Sequence, residues 1–120
     1  MTRKVVAALV SAVLGSLLLP AAWSIAQEAE SAVELGKNLA FDRKKGNCLA
    51  CHVMAGGDLA GNIGPPLVAM KMRFPDKAIL RAQIYDSSTK NPRTVMPRFG
   101  THRILNDEQI DLITEFVYTL

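Results

Sequence analysis

An all-α domain, a few short helices joined by long loops, is the fold class that this sequence of 120 residues predicts. Three observations carry it. The final stretch, "LNDEQIDLITEFVYTL", places Ile110, Ile113, Phe116, Val117 and Leu120 on one half of a helical wheel, with Asp111, Thr114, Glu115 and Tyr118 on the other. No segment shows the period-two alternation of a half-buried strand. Two glycine- and proline-rich stretches, "VMAGGDLAGNIGPPL" and "SSTKNPRTVMPRFGTHR", are too broken for helix or central strand and too long to be mere connections. Loops of that length in a small domain need something to wrap.

The chain opens with Arg3 and Lys4 ahead of an apolar run, Val5 to Leu19, then Pro20 and small residues. That layout predicts a secretory signal peptide over residues 1–26, cleaved between Ala26 and Gln27 with Ser24 and Ala26 as the small flanking residues. An uncleaved anchor is the rival, but an apolar run of about 15 residues falls short of the roughly 20 a spanning helix needs. Residues 27–120 then form one periplasmic domain. Loss of Arg3 and Lys4 brings the net charge from +3 to about +1, so the basic pI of the precursor says little about partners. Scattered basic residues and few aromatics argue against a nucleic-acid interface.

Within the domain, Ser31 and Glu34 form a predicted capping box opening a first helix, with Ala32, Leu35 and Leu39 at helical spacing beside Gly36. Gly46 turns the chain into "NCLACH". After the first long loop, Asp76 is a predicted N-cap for a helix whose apolar side is Ile79, Leu80 and Ile84. The second loop follows, and Asn106 with Gln109 caps the terminal helix.

Cys48, Cys51 and His52 make C-x-x-C-H, the attachment signature of a c-type haem. Two thiols bond the two vinyl groups on one side of a porphyrin, and the residue behind them offers an imidazole to the iron. A thioredoxin-like dithiol would want a βαβ pattern, which is missing from the sequence. A structural zinc site would want four ligands, and His102 is the sole remaining nitrogen candidate. A disulfide across two residues closes too short a loop to stabilise much. One covalent haem c is therefore the predicted cofactor, and it supplies the staple that a small core lacks.

Candidates for the other axial position are Met54, Met70, Met72, Met96 and His102. Met54 lies too close behind His52 to reach the other face of the ring. Met70 and Met72 adjoin a predicted helix, where methionine usually fills core. Met96 sits in an irregular loop stiffened by Pro92 and Pro97, far enough along the chain to cross to the opposite face. His102 is the weaker alternative. His/Met ligation raises the reduction potential and leaves no open position for substrate, which predicts one-electron transfer.

"GNCLACH", "GNIGPPL" and "NPRTVMPRFG", in that order and followed by "DEQIDLITEFVYTL", resemble SoxX, the family of small monohaem cytochrome subunits of the sulfur-oxidation SoxAX complex. The resemblance runs from about Leu35 to Leu120. It implies a class I cytochrome c fold, haem on Cys48 and Cys51, His52 and Met96 as axial ligands, and the Pro65 carbonyl bonded to the other nitrogen of His52, with Pro66 a weaker candidate for that role. It also implies a SoxA-type partner that bears the reactive cysteine joining thiosulfate to the SoxYZ carrier, and a downstream cytochrome or oxidase as electron outlet. This chain has no spare cysteine for that sulfur chemistry, so no catalytic residue is expected on it. Arg98 stands where many relatives have a second proline. Arg98 and the run Arg43, Lys44, Lys45 either pair with a haem propionate, face a partner or are simply solvated. A free monohaem shuttle, and a haem protein with an open iron, are the rival readings.

Overall fold

The computed structural model describes residues 20–120; the apolar run Val5–Leu19, and most of the expected leader with it, lies outside the described residues. Four α-helices form the frame: α1 Pro20–Phe41, α2 Met70–Arg73, α3 Lys77–Tyr85 and α4 Asp107–Tyr118. Short 3-10 turns occupy Cys48–Ala50 and Ser87–Thr89. No strand occurs among the described residues, as the absence of alternation predicts.

α4 is built as its sequence demands. Asn106 accepts from the Gln109 backbone N–H at 2.9 Å, and the Gln109 side chain accepts from the Asn106 N–H at 3.1 Å, satisfying two donors that the helix itself leaves free. Ile110, Ile113, Phe116 and Val117 are buried. Thr114, expected on the polar half, is only 3% exposed. α4 is clasped by both α1 and α3, so more of its circumference is covered than one apolar stripe, and the Thr114 hydroxyl is satisfied by donating to the Ile110 carbonyl at 2.7 Å.

α1 departs from expectation in two ways. It begins at Pro20, so Ser31 lies well inside it and is exposed. Its inward face is marked by small residues: Gly36 and Ala40 are buried, whereas Leu35 is 51% exposed. The reason is a close crossing. A Cβ added at Gly36 would run into the Leu112 carbonyl of α4, so only glycine lets the two backbones meet there. Phe41 and Phe116 lock the end of the crossing edge to face, with ring centroids 5.7 Å apart.

The Asp76 carboxylate caps α3 by accepting from the Ala78 N–H at 2.8 Å, and the helix buries Leu80 and Ile84 while Ile79 stays half in solvent. Lys77 pairs with Glu115, and Arg81 with Asp107 and Asp111, across to α4. These pairs are largely solvated, so they set register more than stability. α2 is a single turn that the sequence pattern gave no sign of. It enters through Ala69 at φ 52° and is pinned by the Met70 N–H donating to the Leu120 carbonyl at 2.8 Å.

Candidate functional site

The Gly46 N–H donates to the Leu39 carbonyl at the end of α1, and Asn47, in the left-handed region at φ 46°, reverses the chain into the 3-10 turn. That turn and the His52 N–H, which donates to the Cys48 carbonyl at 2.9 Å, set Cys48, Cys51 and His52 along the wall of one cavity. No disulfide joins the two cysteines, which leaves both sulfurs available for attachment. Burial, opposed by a backbone hydrogen bond and reinforced by neighbouring Cys51, pushes the Cys48 thiol up to about 11.

The first long loop folds back on this segment. Gly61 and Gly64 N–H groups donate to the carbonyls of Leu49 and Cys51, each at 2.8 Å. The result is a 2.7 Å contact between His52 Nδ1 and the Pro65 carbonyl. A carbonyl can only accept, so Nδ1 carries the proton and the lone pair is left on Nε2. The Pro66 carbonyl is engaged elsewhere, accepting from Arg73 Nη1 at 2.8 Å. Gly64 lies directly against the imidazole, and a Cβ there would strike the ring.

The second loop supplies further residues of the same wall. Met96 donates its N–H to Thr94 Oγ1 at 3.1 Å, and its carbonyl accepts from Ser87 Oγ at 2.9 Å, from a residue with no exposure at all. Met96 lines the same cavity as His52. Of the other sulfur and nitrogen candidates, Met54 is buried in the core away from the cavity wall. Met70 is on the wall, but its sulfur accepts from Arg73 Nη1 at 3.4 Å. Met72, expected as core filling, is 83% exposed, because one helical turn presents only Met70 inward. His102 is exposed and lies on the outer side of the Met96 loop, off the cavity wall.

The cavity measures about 670 Å³. Its interior is apolar, with Leu80, Ile84, Phe99, Ile113 and Val117, and its mouth carries Arg43, Lys44, Lys45, Arg73 and Arg93 with no acidic side chain. Two thiols three positions apart on one turn, an imidazole with a fixed tautomer, a thioether, apolar faces and a cationic rim are the donor set a haem with two carboxylates requires. Gln83 Oε1, on the same wall, is buried without a partner among the described residues. Turned over, that amide would offer an N–H to a carboxylate. Arg98 is off this wall, and its charge instead favours the Asp86 carboxylate.

Gly64, Gln83, Ser87 and Thr94 are site residues that sequence reasoning passed over. Gly64, ahead of two prolines, and Thr94, two residues before Met96, carried a faint local signal; Gln83 and Ser87 carried none.

Residues 36–117 match the family model described as cytochrome C oxidase, cbb3-type, subunit III. A relative from Aquifex aeolicus (strain VF5), described as an uncharacterized lipoprotein, is 37% identical over 79 residues, which cover 62% of this chain and 37% of that protein. The chain thus spans well under half the length of that relative.

Proposed function

From the premise that the chain belongs to this c-type cytochrome family, which the match over residues 36–117 establishes, we propose that it serves as the SoxX-type electron-accepting subunit of a SoxAX complex. Haem c is attached through Cys48 and Cys51, and monohaem electron transfer is its activity. The haem, when bound, supplies a ferric/ferrous couple. The polypeptide would orient and screen it: Pro65 fixes the tautomer of His52, the Ser87 and Thr94 hydroxyls fix the backbone of Met96, and the apolar wall would keep water from a bound ring. His52 and Met96 are the proposed axial ligands. The basic mouth marks the edge where electrons would cross to a partner.

The resemblance of three motifs to SoxX supports the finer reading. The motifs "GNCLACH", "GNIGPPL" and "NPRTVMPRFG", which occur together and in order, all contribute residues to one cavity wall. In this reading the sulfur chemistry belongs to a SoxA-type partner, and the electrons leave through a downstream cytochrome or oxidase. Periplasmic residence is supported by the charged and apolar pattern of residues 1–26 and by the relative described as a lipoprotein. No described helix is long and apolar enough to cross a membrane.

Gentle purification of the tagged, haem-loaded protein from its thiosulfate-grown source tests the proposal. A second cytochrome with a reactive cysteine, co-eluting in fixed ratio, is the expected result. Elution alone, as a low-spin cytochrome at mild salt, would favour the free-shuttle reading.

A further inference from the structure

We infer that Asp86 and Thr101 form a clasp that keeps Met96 at the iron, an inference that rests on Met96 being the second axial ligand. Met96 lies in the irregular stretch between these two residues, and the ends of that stretch meet. Asp86 accepts at Oδ1 from the Ser88 N–H and hydroxyl and at Oδ2 from the Thr101 hydroxyl, the last at 2.8 Å. Beside this contact the Gly100 N–H donates to the Tyr85 carbonyl at 3.0 Å. A Cβ at Gly100 would strike the Tyr85 ring, so the far end of the loop is pressed on the end of α3.

The neighbouring residue does the complementary work at the loop's centre. Ser87, fully buried, donates to the Met96 carbonyl, and Thr94 accepts from the Met96 N–H. Asp86 and Ser87 follow directly on α3, whose Leu80 and Ile84 are in the core. The loop's ends and its middle are therefore tied to one anchored point. A thioether is a neutral, weak ligand, and its occupancy depends on how much entropy the loop must lose to present it. Closing the base in advance removes much of that loss. Asp86 and Thr101 do not line the cavity, and so act as positioning residues.

The test uses holoprotein and two readouts: the near-infrared sulfur-to-iron charge-transfer absorbance of the ferric form, and carbon monoxide association with the ferrous form. Thr101→Val is expected to speed carbon monoxide association about tenfold, the equivalent of one hydrogen bond to a charged acceptor. In urea its charge-transfer absorbance should vanish before the far-ultraviolet helix signal, whereas in the unsubstituted protein the clasp should make the two curves coincide. Thr101→Ser restores both behaviours, and Asp86→Ala reproduces the valine variant. The clasp is overturned if Thr101→Val and Asp86→Ala keep native association rates, or if both urea curves simply shift together, as a purely structural role requires. Met96→Ala separates the premise: it should lack the charge-transfer absorbance from the outset, and its persistence there would remove Met96 as ligand and the clasp with it.

Discussion

The α1/α4 crossing and the Met96 loop are ordered by opposite means. The crossing is dry: Gly36 against the Leu112 backbone, Phe41 on Phe116, and Ala40, Ile110 and Ile113 essentially unexposed. The loop has few buried apolar side chains of its own, and is shaped by hydrogen bonds that Ser87 and Thr101 donate and that Asp86 and Thr94 accept. Packing resists in proportion to volume and fails abruptly, whereas a hydrogen-bonded loop can open one bond at a time. The domain therefore joins a stiff frame to a releasable arm, and the haem is the body that both must grip.

The largest expected effect removes that body. The cavity of about 670 Å³ is walled by Leu80, Ile84, Phe99, Ile113 and Val117, the same side chains that make up much of the core, so without the haem the core loses its principal packing partner. The haem-free Cys48→Ala, Cys51→Ala double variant should consequently show no cooperative thermal transition by circular dichroism. A sharp melt would mean that the frame stands without its cofactor. Next comes the frame itself. Gly36→Val drives a side chain into the Leu112 carbonyl and should cost at least about 3 kcal/mol in urea unfolding of the holoprotein; a native midpoint would show that α1 and α4 can separate at no expense.

The smallest effect belongs to the arm and depends on pH. Hydrogen bonds from the Ser88 and Thr101 side chains, and more weakly the charge of Arg98, hold the Asp86 carboxyl below its ordinary value. A carboxyl depressed on folding contributes stability above its unfolded pKa, about 3.9 for aspartate, and loses it as pH falls through the lower folded value. Stability at pH 7 should thus fall away below about pH 4, with Asp86→Asn flattening that acid limb. Urea midpoints taken from pH 7 down to pH 3 measure it, and identical limbs in the two proteins would exclude Asp86 as a contributor.

Features written in local chemistry were legible beforehand. The Asn106 and Gln109 capping box, the Asp76 cap, the apolar stripe of α4 and the two long loops each follow from residues a few positions apart. The cavity also gathers Cys48, Cys51, His52, Pro65 and Met96, which the sequence singles out by chemistry and by resemblance. What escaped depends on which neighbour an element meets. Periodicity in α1 favours Leu35, yet the crossing selects Gly36, because backbone proximity to α4 matters more there than side-chain hydrophobicity. Thr114 looks polar until α3 and α1 close on both flanks of α4. Ser87 reads as an ordinary loop serine, and only the folded loop reveals the carbonyl it serves.

The basic mouth of the cavity gives this molecule an electrical orientation that its net charge conceals. Arg43, Lys44, Lys45, Arg73 and Arg93 surround the mouth, while Asp107, Glu108, Asp111 and Glu115 stud α4 away from it. Arg81 answers Asp107 and Asp111, and Lys77 answers Glu115, so the charge of α4 is largely matched in place while that of the mouth is not. In the field of an acidic surface the unmatched mouth is drawn forward, which would turn the haem edge towards that surface before contact. Dissolved salt, which shortens the reach of that field to about 8 Å at physiological strength, would then reduce well-aimed encounters more than it reduces encounters as such.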